Sequence, residues 1–466
     1  MTRPFPVLAD LPPRPAQPCI DRLAAELRQR DPDLVLVGED QPSELGRLSR
    51  DYHSYSPVLV PRFAGQRAQL AVCATRLDQV QLVAGACARA AVPLTLRGAG
   101  TGNYGQCVPL AGGVVLDLSG LNRLRCLEAA SGVIEVEAGA LMAAVERELA
   151  PHGRALRLAP STLRTASIGG FIAGGSGGIG SPRWGFLRDP GNLLGLEVVT
   201  VEPEPRLLRL DAVASAPLNH AYGCNGILTA LRLPTSEAVD WQQLVVGFNH
   251  WTEAVAAMTG LGSTALLLQA LCLLEAPIAA RSPWPAGCPA AGGEHRLLLL
   301  AAPDCLEVLP DWLAARGGRV IWQAPQSGSQ GLPLRELTWN HTTLHWRAHS
   351  PDWTYLQLLL PQPELPVLSS LSQRWKGDLL WHLEVVRQQG SARLAALPLL
   401  RWQGEDALQR LIDQLRESGT QIFNPHVITV EDGGMGVVDT DQVAAKAAYD
   451  PAGLLNPGKL RGWLER

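Results

Sequence analysis

Short apolar runs separated by glycine turns dominate the first half of the chain. Between about residues 57 and 235 they read "VLVP", "AQLAVCAT", "VPLTLRG", "GGVVLDLS", "GVIEVEAG", "LEVVTVE" and "GILTALRLP". Each has strand length and is bounded by turn residues. Two stretches break the rhythm with apolar residues at helical spacing, "LDQVQLVAGACARAA" and "ALMAAVERELAPHG". A Pro-rich lead over residues 1–50 carries a further predicted helix, Asp21–Arg30. Strands are too many and helices too few for regular strand–helix–strand repetition, so residues 51–236 are expected to form an α+β domain.

The pattern changes near residue 240. "WQQLVVGF", "EHRLLLLAA", "RVIWQA", "DLLWHLEVV", "RLAALPLLRW" and "TQIFNP" predict strands, and "HWTEAVAAMTGL", "PDCLEVLPDWLAARGG" and "GEDALQRLIDQLRESG" predict helices. Such units with helices on one side predict a ferredoxin-like α+β cap over 237–420. A C-terminal segment, 421–466, is expected to be helical through "AAKAAYD" and then to turn at Pro451 and Pro457.

Composition narrows the function classes. The chain has 466 residues, 46% hydrophobic and 18% charged, which suits two or three well-filled domains. Forty-four acids against 40 Lys and Arg give a net charge of −4, and no nucleic-acid partner is expected. Nine cysteines include no C-x-x-C pair, so neither a zinc cage nor a dithiol is expected, and reduced thiols in a cytoplasmic protein are. Gln269 and Glu275 interrupt the most apolar segment, which is too short to cross a bilayer.

The candidate chemistry begins at "LRGAGTGNYGQ", Leu96–Gln106. Its glycines spell G-x-G-x-x-G, but a Rossmann run must open a helix. Pro109, Gly112 and Gly113 follow instead, and then a strand. Without a helix, glycines at positive φ can turn successive N–H groups inward as an anion-binding nest. A second cluster runs through "APSTLRTASIGGFIAGGSGGIGSPRWGFLRD", and a third is "YGCNGILTALRLP".

This ordered set, with "AYDPAGLLNPGKL" near the C-terminus, resembles the FAD-linked oxidoreductases of the vanillyl-alcohol oxidase and p-cresol methylhydroxylase superfamily. Within it, the chain looks most like the glycolate oxidase and D-lactate dehydrogenase branch. The resemblance covers about residues 50–235 and 421–463. It implies a PCMH-type FAD-binding domain of two subdomains, with the cofactor between them. In that reading Arg97, Gly98, Ala99, Gly100, Thr101 and Gly102, extended by Asn103, Tyr104 and Gly105, hold the pyrophosphate. Pro160, Ser161, Thr162, Ser167, Ile168, Gly169, Gly170 and Gly174 line pyrophosphate and flavin. Gly226 and Ile227 meet the adenine side, and Asn456 and Lys459 approach the flavin ring. Cys224 and Asn225 depart from the branch's third loop. The opening loop has no His, so FAD is expected to be non-covalent.

The implied activity is hydride transfer from an alcohol to the flavin, the alcohol being a 2-hydroxy acid such as glycolate or lactate. A sugar or aromatic alcohol donor, or a flavin-binding subunit of an electron-transfer complex, remains the alternative. O2 or an electron-carrier protein would be the acceptor. A base must take the hydroxyl proton, and His suits neutral pH. "TWNHTTLHWRAH" sets His341, His345 and His349 at i+4 spacing, on one face if helical and not if extended. They could also be ordinary polar or core histidines, or hold a cation. "IFNPHVITVEDGG" offers Asn424, His426 and Glu431 at a strand end. His426, His345, His341 and Asn424 are therefore the catalytic candidates. Arg183, Arg188 and Arg347 could clamp a carboxylate. Trp339, Trp346 and Trp353 flank the histidines. The branch's H-x-G-D-G-N-x-H stretch, which has a metal-binding role, is missing, and no metal site is expected.

Overall fold

The computed structural model describes residues 11–328, 330–434 and 436–466, so residues 1–10 of the Pro-rich lead lie outside the described residues. The N-terminal half has two sheets. In the first, strands Val35–Val37, Leu70–Cys73, Val114–Asp117 and Leu94–Arg97 lie side by side in that order. The first pair is antiparallel and the others are parallel. Helix Leu77–Arg89 turns Val80, Val83 and Ala84 inward. They share one core with Ile20, Leu23 and Leu27 of helix Gln17–Arg30, which starts earlier than expected because Pro18 suits its first turn.

The second sheet is antiparallel, in the order Leu124–Glu128, Val133–Glu137, Ile227–Glu237, Gly195–Val199, Leu207–Asp211. Strand Arg154–Leu156 pairs with the far end of Ile227–Glu237. No helix intervenes between Gly105 and strand Val114–Asp117, as the Pro and Gly residues there dictate. The second glycine cluster does contain a short helix, Ile168–Gly174, which its composition conceals. Its glycines permit close packing: a Cβ on Gly169 would stand 2.7 Å from the Ala138 carbonyl oxygen.

The cap is built on an eight-stranded sheet whose pairs are all antiparallel. Its order is Arg319–Pro325, Gln242–Phe248, His295–Ala301, Leu268–Leu274, His382–Gln388, Ser391–Ala396, Gln357–Leu359, Gln421–Phe423. The continuous apolar run "LLLLA" is explained by its central place, buried on both faces. Arg319–Pro325, at one edge, is half exposed. Gln421–Phe423 forms the other edge, so the sheet runs past residue 420. Helix Glu405–Glu417 buries Leu408, Leu411, Ile412 and Leu415 along one stripe.

The histidine segment is a helix, Asn340–Arg347, with Trp339 at φ +51° before it. His341 and His345 share a face with ring centroids 6.2 Å apart, while His349 lies beyond the helix end and is exposed. After helix Thr440–Tyr449 the tail returns to the first sheet. Leu94 N–H donates to the Leu454 carbonyl at 2.9 Å, and Asn456 N–H to that of Leu94 at 2.7 Å. Lys446 makes this return possible. Its buried ammonium pairs with Asp450 at 2.7 Å and donates to the carbonyls of Cys224 and Leu455, both at 2.8 Å.

Candidate active site

A cavity of about 590 Å³ opens between the glycine loops and the cap, within the range of cofactor and small-molecule sites. Arg97 through Tyr104 line it, as do Pro160, Ser161, Thr162, Ser167, Gly169, Gly170 and Gly174. Two close approaches shape the opening loop. Gly100 sits at φ +68°, and a Cβ there would run into the Arg97 guanidinium. A Cβ on Gly98 would run into Ser167 Oγ. Ser167 Oγ in turn accepts the Ala99 N–H at 3.2 Å, tying the first glycine loop to the second. Arg97 is buried and donates to the Arg50 carbonyl at 2.6 Å and the Ala99 carbonyl at 3.4 Å. It braces the loop from within.

Six of the residues assigned to the cofactor, Gly105, Ile168, Gly226, Ile227, Asn456 and Lys459, do not line the cavity. Asn456 Nδ2 donates to the carbonyls of Gln106, at 3.1 Å, and Tyr222, at 2.6 Å. Lys459 Nζ donates to the Gly105 carbonyl. Burial lowers the Lys459 pKa to about 8, partly offset by Asp51. The tail therefore holds the opening loop in shape from its far side. Ile168 packs into the core of the second sheet. Gly226 and Ile227 begin strand Ile227–Glu237 and do not line the cavity. Three residues unforeseen in the sequence do line it: Tyr52, Tyr55 and Tyr222. Tyr222 is buried at φ +52°, with no hydrogen-bond partner for its hydroxyl among the described residues. A buried hydroxyl without a partner is costly unless a ligand completes it. Together with the glycine backbone from Gly98 to Gly102 that lines the cavity, it makes the cavity fit a polar cofactor.

The cap wall carries side chains. His341 and His345 line the cavity, with Glu336, Trp339, Asn340 and Gln357. His341 Nδ1 lies 3.0 Å from Glu336 Oε2, and Arg164 Nε, from the second glycine loop, lies 2.9 Å from Glu336 Oε1. Burial opposes charge on Glu336, but the hydrogen bond and charge of His341, with Arg164 and Arg335 nearby, hold its carboxyl below the ordinary value. His345 Nε2 donates to the Glu336 carbonyl at 2.8 Å, and burial lowers its pKa. Within this array the residues missed in the sequence are Glu336 and Arg164. An acid five residues before His341 was the available signal for the first. Nothing in "APSTLRTASIGG" distinguishes the second from a solvated arginine.

The other catalytic candidates lie elsewhere. His426 does not line the cavity. It is buried, with Nδ1 2.8 Å from Ser56 Oγ and Nε2 donating to the Tyr355 carbonyl at 2.9 Å. Burial drives its pKa down to about 4. With both nitrogens engaged it joins the N-terminal half to the cap. Asn424 accepts the His426 N–H at 3.0 Å in a local turn. Glu431 accepts the N–H groups of Arg461 and Gly462 at 2.9 and 2.8 Å. Arg183 stacks on Trp184, Arg188 pairs with Asp439 at 2.8 Å, and Arg347 donates to the carbonyls of Ser54 and Trp353. None of the three lines the cavity. Trp346 and Trp353 pack edge to face in the cap core.

The family described as "FAD binding domain" matches residues 68–210. The glycolate oxidase subunit GlcD of Escherichia coli K12 is 26% identical over 95% of this chain and 92% of that relative. A D-lactate dehydrogenase of Anaerostipes hadrus is 25% identical over 52% of this chain and 50% of its own length. Among solved structures, an alkyldihydroxyacetonephosphate synthase superposes with a TM-score of 0.73, covering 98% of this chain and 88% of that one. At 14% identity this likeness concerns the fold alone. Among the described residues no helix is long and apolar enough to cross a membrane.

Proposed function

Because the chain belongs to the FAD-linked oxidoreductases of the vanillyl-alcohol oxidase and p-cresol methylhydroxylase superfamily, we propose that it oxidises a 2-hydroxy acid, glycolate and lactate being the simplest cases. It is an FAD-dependent oxidoreductase acting on CH–OH donors. The observation that carries the finer reading is the Arg164–Glu336–His341 array lining the same cavity as the glycine loops.

Bound FAD supplies the hydride acceptor, held by the loop from Arg97 to Tyr104 and by the segment from Pro160 to Gly174. His341 takes the hydroxyl proton. Its Nδ1 lies 3.0 Å from Glu336 Oε2, which leaves Nε2 as the basic nitrogen. The charged Glu336 stabilises the imidazolium that results. His345 fixes the backbone of Glu336 and stays neutral. Arg164 has five N–H donors, more than Glu336 uses, and offers the remainder to a substrate carboxylate. The Escherichia coli relative is named a subunit, which favours an electron-carrier protein over O2 as the acceptor.

The test is anaerobic mixing of the purified, flavin-loaded protein with glycolate, D-lactate and L-lactate, alongside a sugar and an aromatic alcohol. Bleaching of the flavin by a hydroxy acid is expected. Bleaching only by the sugar or the aromatic alcohol would overturn the substrate class.

A further inference from the structure

Behind Trp339, outside the cavity lining, the cap sheet carries a second group of chemistry-bearing side chains. Cys272 and Glu384 are direct cross-strand partners on Leu268–Leu274 and His382–Gln388. His382 lies two residues before Glu384, so all three project from one face of the sheet. They are 0%, 1% and 0% exposed respectively. His382 Nε2 lies 2.8 Å from Glu384 Oε1 and 3.3 Å from Cys272 Sγ. The three ligating atoms fall within 4.8 Å of one another.

As a plain hydrogen-bonded cluster this arrangement is poor. One Nε2 proton serves both a carboxylate oxygen and a sulfur, in a place where every polar atom is cut off from water. Charge balance improves with a divalent cation. A thiolate and a carboxylate carry two negative charges, which one such ion neutralises. Imidazole adds a neutral donor. The three ligating atoms are within reach of a single ion, and binding at about 2.0–2.3 Å requires the 2.8 Å nitrogen–oxygen contact to open by a few tenths of an ångström. The donor set of sulfur, nitrogen and oxygen suits zinc better than calcium or magnesium, which prefer oxygen alone.

We propose that Cys272, His382 and Glu384 form a structural zinc site within the cap sheet. It is distinct from the histidines on Asn340–Arg347, and sequence spacing gives no sign of it, because Cys272 and His382 are 110 positions apart. Its effect on the cavity is indirect. Glu384 Oε1 accepts the Trp339 N–H at 2.7 Å. Trp339 stands at positive φ immediately before the helix that carries His341. An ion on Glu384 would fix that hydrogen bond, and with it the start of the helix, as partners of metal ligands commonly do.

The experiment uses the full chain with its flavin, expressed in zinc-supplemented medium and purified without chelator or a metal-affinity column. Elemental analysis should find one zinc per chain, falling to background in Cys272→Ser and Glu384→Gln. Zinc-edge X-ray absorption of the unmutated protein should find one sulfur in the shell with lighter scatterers. Should the variants fail to fold, the absorption spectrum decides alone. Protein free of zinc, zinc bound without sulfur, or unchanged zinc in a folded Cys272→Ser variant would overturn the site.

Discussion

On the wall built from residues 96–107 and 160–178 the cavity meets glycine-rich backbone; on the wall built from Glu336, His341 and His345 it meets titratable side chains. The first wall is held from behind by groups that do not line the cavity: Asn456 and Lys459 spend their donors on the carbonyls of Gln106 and Gly105. The second is held by side chains that themselves line the cavity. A backbone wall offers fixed N–H groups and close approach, which suits a large cofactor common to a family. A side-chain wall sets proton chemistry and charge, and a few substitutions there change the donor.

Damage to the backbone wall should have the largest effect. Gly100→Val places a branched side chain at φ +68° against Arg97, and FAD is expected to be lost altogether. Flavin absorbance of the purified variant after incubation with FAD checks this, and stoichiometric retention would contradict the loop's role. Damage to the cap wall should leave the flavin bound. Glu336→Gln removes the carboxylate that orients His341, and flavin reduction should slow on the order of 10²-fold. Stopped-flow mixing reads this, and normal flavin content separates it from a folding defect.

His426 tests the junction between the two halves. A histidine held near pKa 4 against an ordinary 6.5 is neutral in the fold and protonates first in the unfolded chain. Its contribution is complete above pH 6.5 and is lost as pH falls towards 4, by about 3 kcal/mol. Denaturation across that range should show His426→Gln to be less stable at neutral pH and flatter in its pH dependence. The smallest effect is expected at His345. His345→Gln removes one hydrogen bond to the Glu336 carbonyl, about 1 kcal/mol of stability, with flavin reduction close to normal. A large loss of reduction would move the base from His341 to His345.

The same contrast explains what could be read from the sequence. Glycine loops are local, and Pro109 with Gly112–Gly113 excludes the helix that a Rossmann loop must open. Tail residues such as Asn456 and Lys459 follow a recognisable motif, but whether they line or brace depends on which carbonyls lie nearby after the chain returns. The cap site is non-local. Arg164 and Glu336 are 172 positions apart, and His426 reads in sequence as well as His341 does. Only packing places one in the cavity and the other between Ser56 and the Tyr355 carbonyl. The short helix Ile168–Gly174 was hidden because glycine content masks the burial of Phe171 and Ile172 that holds it.

The most direct measurement compares the unmutated protein with His341→Gln, both loaded with FAD and mixed anaerobically with the hydroxy acid that bleaches the former fastest. Loss of the base should slow bleaching by about 10²–10⁴-fold at unchanged flavin content. Bleaching at the unmutated rate would contradict the assignment of His341 and, with it, the account of the cap wall.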